Sequence, residues 1–234
     1  MNLESAMFGA RGLSKRYARR GFESAALVEV SIEVPRGGFM AVTGPSGGGK
    51  TTLLTMLGVL DRPTTGRVFF DGEDLEGTSD AHRARVRRRI GFVFQNSPMI
   101  RALPVFENVT YSLIPTGVTP RARRDRAAAC LARVGLEGML DRRPEELSGG
   151  ELQRVGIARA LVANPSAVLA DEPTSNLDAA SAEAVATILR EIHREGTTVL
   201  VATHDPRLVA LATTVIALEA GRLRGAAQPA ERPS

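Results

Sequence analysis

The segment from residue 39 to residue 60 constrains the fold of this chain more than any other. It begins with a short apolar run, Phe39–Thr43, passes through a glycine-rich loop and ends in a helix-like stretch, Thr51–Leu60. The loop reads Gly44, Pro45, Ser46, Gly47, Gly48, Gly49, Lys50 and Thr51, which fits the pattern G-x-x-x-x-G-K-[ST]. A strand, such a loop and a helix in succession predict a site for the phosphates of a nucleotide.

Each residue type in this loop has a predicted task. The glycines let the backbone curl so that successive N–H groups point at phosphate oxygens. We expect Lys50 to reach the β- and γ-phosphates and Thr51 to place its hydroxyl on Mg²⁺. Thr52 is expected to meet the α-phosphate. The predicted ligands are therefore a nucleoside triphosphate and Mg²⁺.

A second apolar run, Ala167–Ala170, ends in the acidic pair Asp171 and Glu172. In open parallel sheets the carboxyl ends of the strands lie beside the phosphate-binding loop. Asp171 suits Mg²⁺, directly or through a water, and Glu172 is placed to polarise an attacking water as a general base. The alternative, a solvated acidic pair, is less favoured because the phosphate loop accompanies it.

Ser148, Gly149, Gly150 and Glu151 precede a run with helical apolar periodicity. Ser-x-x-Glu at that place predicts a capping box, which is a purely structural interpretation. A helix N-terminus with two glycines and a free hydroxyl is also an anion site. We expect both to hold. The segment would have no phosphate nearby in its own subunit and would meet the γ-phosphate across a dimer.

Three further polar residues are candidate site residues because two follow predicted strands and one lies in a predicted turn. His204 follows the apolar run Val199–Ala202, and at a strand end beside the predicted site it is expected to donate to the γ-phosphate. Gln95 follows Ile90–Phe94 and suits a contact with water or Mg²⁺. Asp178 lies in a turn-like Thr-Ser-Asn-Leu-Asp segment. Each would be uninformative alone.

The order of elements predicts an α/β fold. Strand-like runs alternate with helix-like segments, which favours a parallel sheet covered on both faces. The segment 96–147 differs, because prolines interrupt it and Arg121–Val134 has helical periodicity, so we predict a helical lobe inserted between core segments 1–95 and 148–224. Residues 225–234 lack apolar periodicity and are predicted to be a disordered tail beyond a single domain, 1–224. Further predicted strands are Val28–Val34, Val68–Phe70, Thr198–Ala202 and Val215–Leu218.

Charge and hydropathy narrow the class of protein. The net charge is only +4, and the densest basic run, Arg83–Arg89, has the spacing of a solvated helix face, so no nucleic-acid partner is expected. No N-terminal run resembles a signal peptide, and no apolar run approaches the roughly 20 residues that span a bilayer. We expect a cytoplasmic protein whose membrane contact goes through a partner.

Together these segments resemble the nucleotide-binding subunit of an ATP-binding-cassette (ABC) transporter, from about Tyr17 to Leu223. In order, Gly44–Thr51 is similar to the Walker A loop of that family, Gln95 to its Q-loop and Leu147–Glu151 to its signature motif. Further matches are Val168–Glu172 with Walker B, Ser175–Asp178 with the D-loop, His204 with the switch histidine and Tyr17 with the aromatic residue that stacks on adenine.

The resemblance implies a P-loop NTPase (RecA-like) core with a mainly parallel sheet, a small N-terminal antiparallel β subdomain and an inserted α-helical subdomain. It implies that two subunits, identical or not, bind two ATP with Mg²⁺ at their interface. Hydrolysis through Glu172 and His204 would reset a clamp that pulls on an integral membrane permease. The permease would dock near the Q-loop and the helical lobe, with Pro98–Val109 as the candidate surface or, equally, as lobe core.

A finer resemblance is to the macrolide-exporter and lipoprotein-release subgroup, carried by Leu57–Gly66, Phe92–Gln95 and Thr174–Asp178. Val59 and Ser175 depart from it, because that subgroup usually has glycine at both positions. The implied activity is export or extraction of a substrate such as a lipoprotein, peptide, drug or lipid. The alternatives are an ATP-driven regulator or mechanical transmitter, a soluble ABC ATPase, and a nucleotide kinase, in which the signature segment would have no task.

Overall fold

Two β-sheets and a set of helices make up the part of the chain that the computed structural model describes, residues 3–19 and 22–229. In chain order the strands are β1 (Ala6–Arg19), β2 (Phe22–Pro35), β3 (Phe39–Thr43), β4 (Thr65–Phe70), β5 (Glu73–Asp74), β6 (Ile90–Val93), β7 (Ala167–Asp171), β8 (Thr198–Ala202), β9 (Thr214–Glu219) and β10 (Arg222–Pro229). The α-helices are α1 (Lys50–Leu57), α2 (Asp80–Arg87), α3 (Val105–Thr110), α4 (Pro120–Arg133), α5 (Gly149–Leu161), α6 (Ala179–Arg194) and α7 (Pro206–Leu211). Short 3₁₀ helices occupy Tyr111–Thr116 and Pro144–Glu146.

The larger sheet has the strand order β10-β9-β3-β8-β7-β6. Its strands from β9 to β6 are parallel, and β10 pairs antiparallel with β9 at the edge. The smaller sheet, in the order β2-β1-β4-β5, is antiparallel throughout. The predicted mainly parallel core and small antiparallel β unit are therefore confirmed.

Both faces of the larger sheet are covered, which explains why its strands are apolar without alternation. On β3, Phe39 and Ala41 face a cluster that includes residues of α3 to α6. Met40 and Val42 face the opposite cluster, which includes α1 and the small antiparallel sheet. The carboxyl ends of β3, β6, β7 and β8 therefore meet at one edge, between these two layers.

Helices occupy much of the segment between β6 and α5, and they pack on the core. Asn108 of α3 is buried, and its side chain accepts from Ile100 N at 2.8 Å and donates to Leu103 O at 2.9 Å. The Pro98–Val109 segment is thus divided, since Val105 and Val109 are core residues while Ile100 is exposed.

The C-terminal prediction needs correction. β10 runs to Pro229, and Gln228 and Pro229 pair with Val215 and Thr214, so residues 225–229 belong to a strand rather than to a disordered tail. Residues 230–234 lie outside the described residues. An edge strand is held by backbone hydrogen bonds and needs no apolar periodicity, and a register shift after Arg224 with Gly225 at φ 75° lets it continue.

Two local predictions also differ from the structure. The first helix ends at Leu57 rather than Leu60, because Gly58 caps it and Val59 takes a left-handed φ of 58°. Arg83 is buried instead of solvated, and its guanidinium donates to Leu75 O and Asp61 O, both at 3.3 Å. Hydrogen bonds to backbone carbonyls compensate this burial.

Within residues 3–19 and 22–229, no helix combines the length and the apolar character needed to cross a lipid bilayer.

Candidate functional site

The glycine-rich loop connects the carboxyl end of β3 to α1. Gly44 has φ 134°, and a Cβ there would lie 2.0 Å from Leu218 O, so only glycine fits. Gly49, the residue before the helix, has φ 104° and provides no side-chain cap. The free N–H groups of the first turn therefore point to where an anion can bind.

Lys50 opens α1 and turns back over the loop. Its ammonium donates to Gly44 O at 2.8 Å and to Pro45 O at 3.2 Å. The same Nζ lies 3.4 Å from Oε1 of Glu172, and the lysine is only 9 % exposed. A nearly buried cation is thus held at the centre of the loop, where phosphate oxygens would be neutralised.

Glu172 follows β7 with a left-handed φ of 44°, and its N–H donates to Ala202 O at 2.8 Å. Its other oxygen, Oε2, lies 2.9 Å from Nδ1 of His204, whose side chain is 76 % exposed. Strained backbone of this kind is typical of functional sites. A carboxylate between a lysine and a histidine can accept a proton from a water. Because the contact uses Nδ1 of His204, the other ring nitrogen, Nε2, is left to meet a ligand.

Gln95 follows β6, and its amide Nε2 donates to Oγ of Ser175 at 3.4 Å. The Ser175 hydroxyl in turn donates to the backbone oxygen of Glu172 at 2.9 Å. Ser175 therefore links the end of β6 to the end of β7. The sequence analysis placed Ser175 only in the D-loop match and did not predict its position in the site, although a hydroxyl three residues after Glu172 was a usable signal.

These groups line one cavity of about 330 Å³. It brings together the loop, Gln95, Glu172 and His204, which lie at the ends of four neighbouring parallel strands. Ala26 of β2 was not foreseen because nothing in its local sequence marks it. The lining residues are Ala26, Ser46, Gly47, Gly48, Gly49, Lys50, Thr51, Thr52, Gln95, Glu172, Ser175 and His204.

The donor set beside the loop fits a magnesium ion. Burial raises the pKa of Asp171, and a hydrogen bond from the Thr51 side chain acts in the opposite direction. Oδ1 of Asp171 is buried and lacks a hydrogen-bond partner. A buried carboxylate oxygen next to a hydroxyl is a ligand that Mg²⁺ accepts, and a cation there would favour the ionised form.

Ser148 and Glu151 form the predicted capping box at the start of α5. Ser148 Oγ accepts from Glu151 N at 3.3 Å, and Glu151 Oε2 accepts from Ser148 N at 2.7 Å. This backbone bond, with the Ser148 hydroxyl, lowers the pKa of Glu151. Gly149 has open space around its Cα, whereas a Cβ on Gly150 would lie 2.4 Å from Ser181 Oγ.

The capping segment, Asp178 and Tyr17 lie apart from this cavity, and the predicted site residues Gly44, Pro45 and Asp171 are also not among its lining residues. Asp178 caps α6, where Oδ1 accepts from Ser181 N at 2.9 Å and this bond lowers the pKa of Asp178. Tyr17 on β1 is 40 % exposed, and its hydroxyl donates to Asp61 Oδ2 at 3.4 Å. One subunit thus assembles the loop and the strand-end residues but leaves Ser148–Glu151 outside.

Comparison with known proteins gives an independent result. Residues 27–175 match the family model described as ABC transporter. A Thermotoga maritima protein named as an uncharacterized ABC transporter ATP-binding protein is 45 % identical over 201 residues, which cover 86 % of each chain.

A second relative is longer than this chain. The macrolide export ATP-binding/permease protein MacB of Syntrophobacter fumaroxidans is 43 % identical over 213 residues, covering 89 % of this chain but 30 % of that protein. Among solved structures, the dimeric ATP-binding cassette MJ0796 in a post-hydrolysis state with ADP and Pi superposes with a TM-score of 0.89. It is 35 % identical, and the match covers 96 % of this chain and 99 % of that one.

Proposed function

Because this chain belongs to the ABC transporter family and is an ATPase, we propose that it works as half of a dimeric clamp that closes around two ATP molecules. The observation that carries this proposal is the division of the site. The cavity collects Lys50, Glu172 and His204, but the α5 N-terminus with Ser148 lies outside it. A second subunit, identical or related, would supply that N-terminus to the γ-phosphate.

Within each half, the residues divide the work by chemistry. The loop from Gly44 to Thr52 binds the phosphates through its N–H groups, and Lys50 neutralises the β- and γ-phosphates. Glu172 accepts a proton from the attacking water, and His204 donates to the γ-phosphate. Gln95 orients this water from the end of β6.

Mg²⁺ would be held by Thr51, Asp171 and Gln95, and it would supply charge neutralisation at the β- and γ-phosphate oxygens. The buried Asp171 oxygen without a partner supports this assignment. Across the interface, Ser148, Gly149, Gly150 and Glu151 would contact the γ-phosphate. Tyr17 would stack on adenine, and Asp178 would lie near the second subunit.

The closing of the clamp would drive an integral membrane permease, which places this chain on the cytoplasmic face of the membrane. The docking region would be the helical segment and the loop after Gln95. MacB-like relatives carry both functions in one longer chain. The proposed activity is therefore export or extraction of a lipoprotein, peptide, drug or lipid, with no nucleic-acid partner.

The shared site is tested by complementation between two inactive variants. Lys50→Ala removes the phosphate lysine and Ser148→Arg blocks the α5 N-terminus. A mixed dimer of the two has one site with both residues intact, but only if the site is built from two chains. We expect the mixture to hydrolyse ATP faster than the sum of the separate variants. A rate equal to that sum would contradict the shared site.

A further inference from the structure

Two loops of the ATP site carry Glu172 and His204. One loop follows β7 and runs from Glu172 to the start of α6, and the other follows β8 and contains His204. Within the site the loops touch through Oε2 of Glu172 and Nδ1 of His204, which lie 2.9 Å apart. Because the side chain of His204 is 76 % exposed, packing alone does not fix its ring. Its position therefore depends on the residues on either side of it.

The two neighbours of His204 are buried and hydrogen-bonded. The N–H of Thr203 donates to Val42 O at 3.0 Å, and Oγ1 of Thr203 accepts from the N–H of Asp205 at 3.0 Å. Thr203 is fully buried, and Asp205 is only 7 % exposed. The backbone of His204 is thus held from both sides, while its exposed ring lines the cavity.

The buried carboxylate of Asp205 is bound by a guanidinium. Nε of Arg207 donates to Oδ1 at 2.9 Å, and Nη2 of Arg207 donates to Oδ2 at 2.9 Å. The hydroxyl of Thr174, in the loop after β7, donates to the same carboxylate. Burial acts to raise the pKa of Asp205, but these hydrogen bonds outweigh it and hold the pKa below its ordinary value. The carboxylate is therefore ionised at neutral pH, as a two-bond pair with a guanidinium requires.

Arg207 also reaches the loop of Glu172 directly. Its remaining terminal nitrogen, Nη1, donates to Ala179 O at 3.2 Å, across 28 residues of sequence. Ala179 is the first residue of α6, where the loop after β7 ends. One guanidinium therefore bonds the loop of His204 with one edge and the loop of Glu172 with the other. A cap for the short helix α7 would need only the bond from the Arg207 N–H to Asp205 Oδ1, which is present as well at 3.0 Å.

We propose that Arg207 is a positioning residue of the ATPase reaction, which holds the loop of His204 against the loop of Glu172 so that both side chains face the γ-phosphate together. The inference rests on the proposed function, from which it takes the roles of Glu172 and His204. Arg207 is not among the residues that line the cavity, and it acts through Asp205 and Ala179. Such support matters because a misplacement of about 1 Å can cost about 10²-fold in rate.

Two substitutions of Arg207 test this bridge. Arg207→Met keeps a long side chain but removes every side-chain donor. Arg207→Lys keeps the positive charge, yet one ammonium cannot make the paired bonds to Asp205 and also reach Ala179 O. Arg194→Met is the matched control, because it removes an exposed arginine at the other end of α6.

The first measurement is steady-state ATP hydrolysis by the purified full chain, well below the Tm of each variant. We expect Arg207→Met to lower kcat about tenfold or more while the KM for ATP changes less than about threefold, because the phosphate loop and Lys50 are untouched. Arg207→Lys should lie between Arg207→Met and wild type. Arg194→Met should match wild type in both constants.

The second measurement separates positioning from a merely structural role. Arg207→Met is combined with His204→Ala, and the slow turnover is followed by release of radiolabelled phosphate. If Arg207 acts through His204, its loss should cost less than about twofold in this background, because residues that act as a unit are not additive. A loss of kcat that is equal in both backgrounds would overturn the inference. A lowered Tm with wild-type kcat in Arg207→Met would overturn it too, since the bridge would then serve stability alone.

The proposed function is judged separately by His204→Ala alone. We expect this variant to lower kcat, and wild-type turnover would remove His204 from the proposed mechanism and the inference with it. A large loss in His204→Ala beside an unaffected Arg207→Met would leave the proposed function standing and refute only the positioning role.

Discussion

Gly156 lies where α5 crosses the loop after Gln95, and replacing it by alanine is expected to disturb both. A Cβ on Gly156 would lie 2.0 Å from Oγ and 2.6 Å from Cβ of Ser97. Rotation of the serine can move its hydroxyl but not its Cβ, so the backbone must shift. Ser97 is buried and has φ 35°, which leaves it little room.

The magnitude follows from two opposing terms. Overpacking of this kind costs about 1–3 kcal/mol, and the immovable Cβ places Gly156→Ala in the upper part of that range. Alanine in a helix interior stabilises the folded state by up to about 1 kcal/mol relative to glycine, which offsets part of this cost. The net loss of about 1–2 kcal/mol should lower Tm by about 2–8 °C in a chain of this length. ATPase activity should fall as well, because the loop carries Gln95.

The assay is thermal unfolding of Gly156→Ala, Ser97→Gly and the double variant, followed by steady-state ATPase measurements. Ser97→Gly removes both contacting atoms and suits the left-handed φ, so the double variant should regain most of the lost stability. A Tm within about 1 °C of wild type for Gly156→Ala would refute the reasoning, as ~1 kcal/mol corresponds to at least 2 °C. An equal loss of Tm in Gly156→Ala and in the double variant would also refute the reasoning.

Three more predictions concern the site and its supports. Glu172→Gln should bind ATP but hydrolyse it about 10²–10⁴-fold more slowly, and wild-type turnover would exclude a general base here. Glu151→Gln should lower Tm at pH 7. The pKa of Glu151 is lowered in the folded state. The ionised carboxylate therefore contributes stability above about pH 4.3, and this contribution disappears as the pH falls further. A Tm difference between wild type and Glu151→Gln that persists at about pH 2 would contradict this. Gly91→Ala should destabilise by about 1–3 kcal/mol in denaturant titrations, because its Cβ would lie 2.6 Å from Ala160 O, and an unchanged midpoint would show that β6 and α5 can separate.

Much of the site was predictable because its residues stand at strand ends. The predicted strands end at or just before Gly44, Gln95, Asp171 and Thr203. If the strands are parallel, their carboxyl ends must meet at one sheet edge. The phosphate loop and the Ser148 capping box are local patterns, so they needed only a few neighbouring residues. These features depend on short-range chemistry and strand direction, both of which the sequence contains.

What was missed depends on contacts between distant segments. Ser175 became a site residue because Gln95, eighty positions earlier, lies within hydrogen-bond distance. Arg83 has the spacing of an exposed helix face, yet its side chain is buried. Its guanidinium donates there to backbone carbonyls of two other segments. β10 has no apolar periodicity that would mark it as a strand. It is held as an edge strand by backbone pairing with β9, which the local sequence does not reveal.

We propose above all that ATP holds two copies of this chain together through the Ser148 segment. The most direct measurement is the molar mass of Glu172→Gln by light scattering after size exclusion, with and without ATP and Mg²⁺. We expect the 24.9 kDa monomer without ATP and twice that mass with it. Glu172→Gln combined with Ser148→Arg should remain monomeric with ATP. An ATP-dependent dimer that survives Ser148→Arg would contradict the claim.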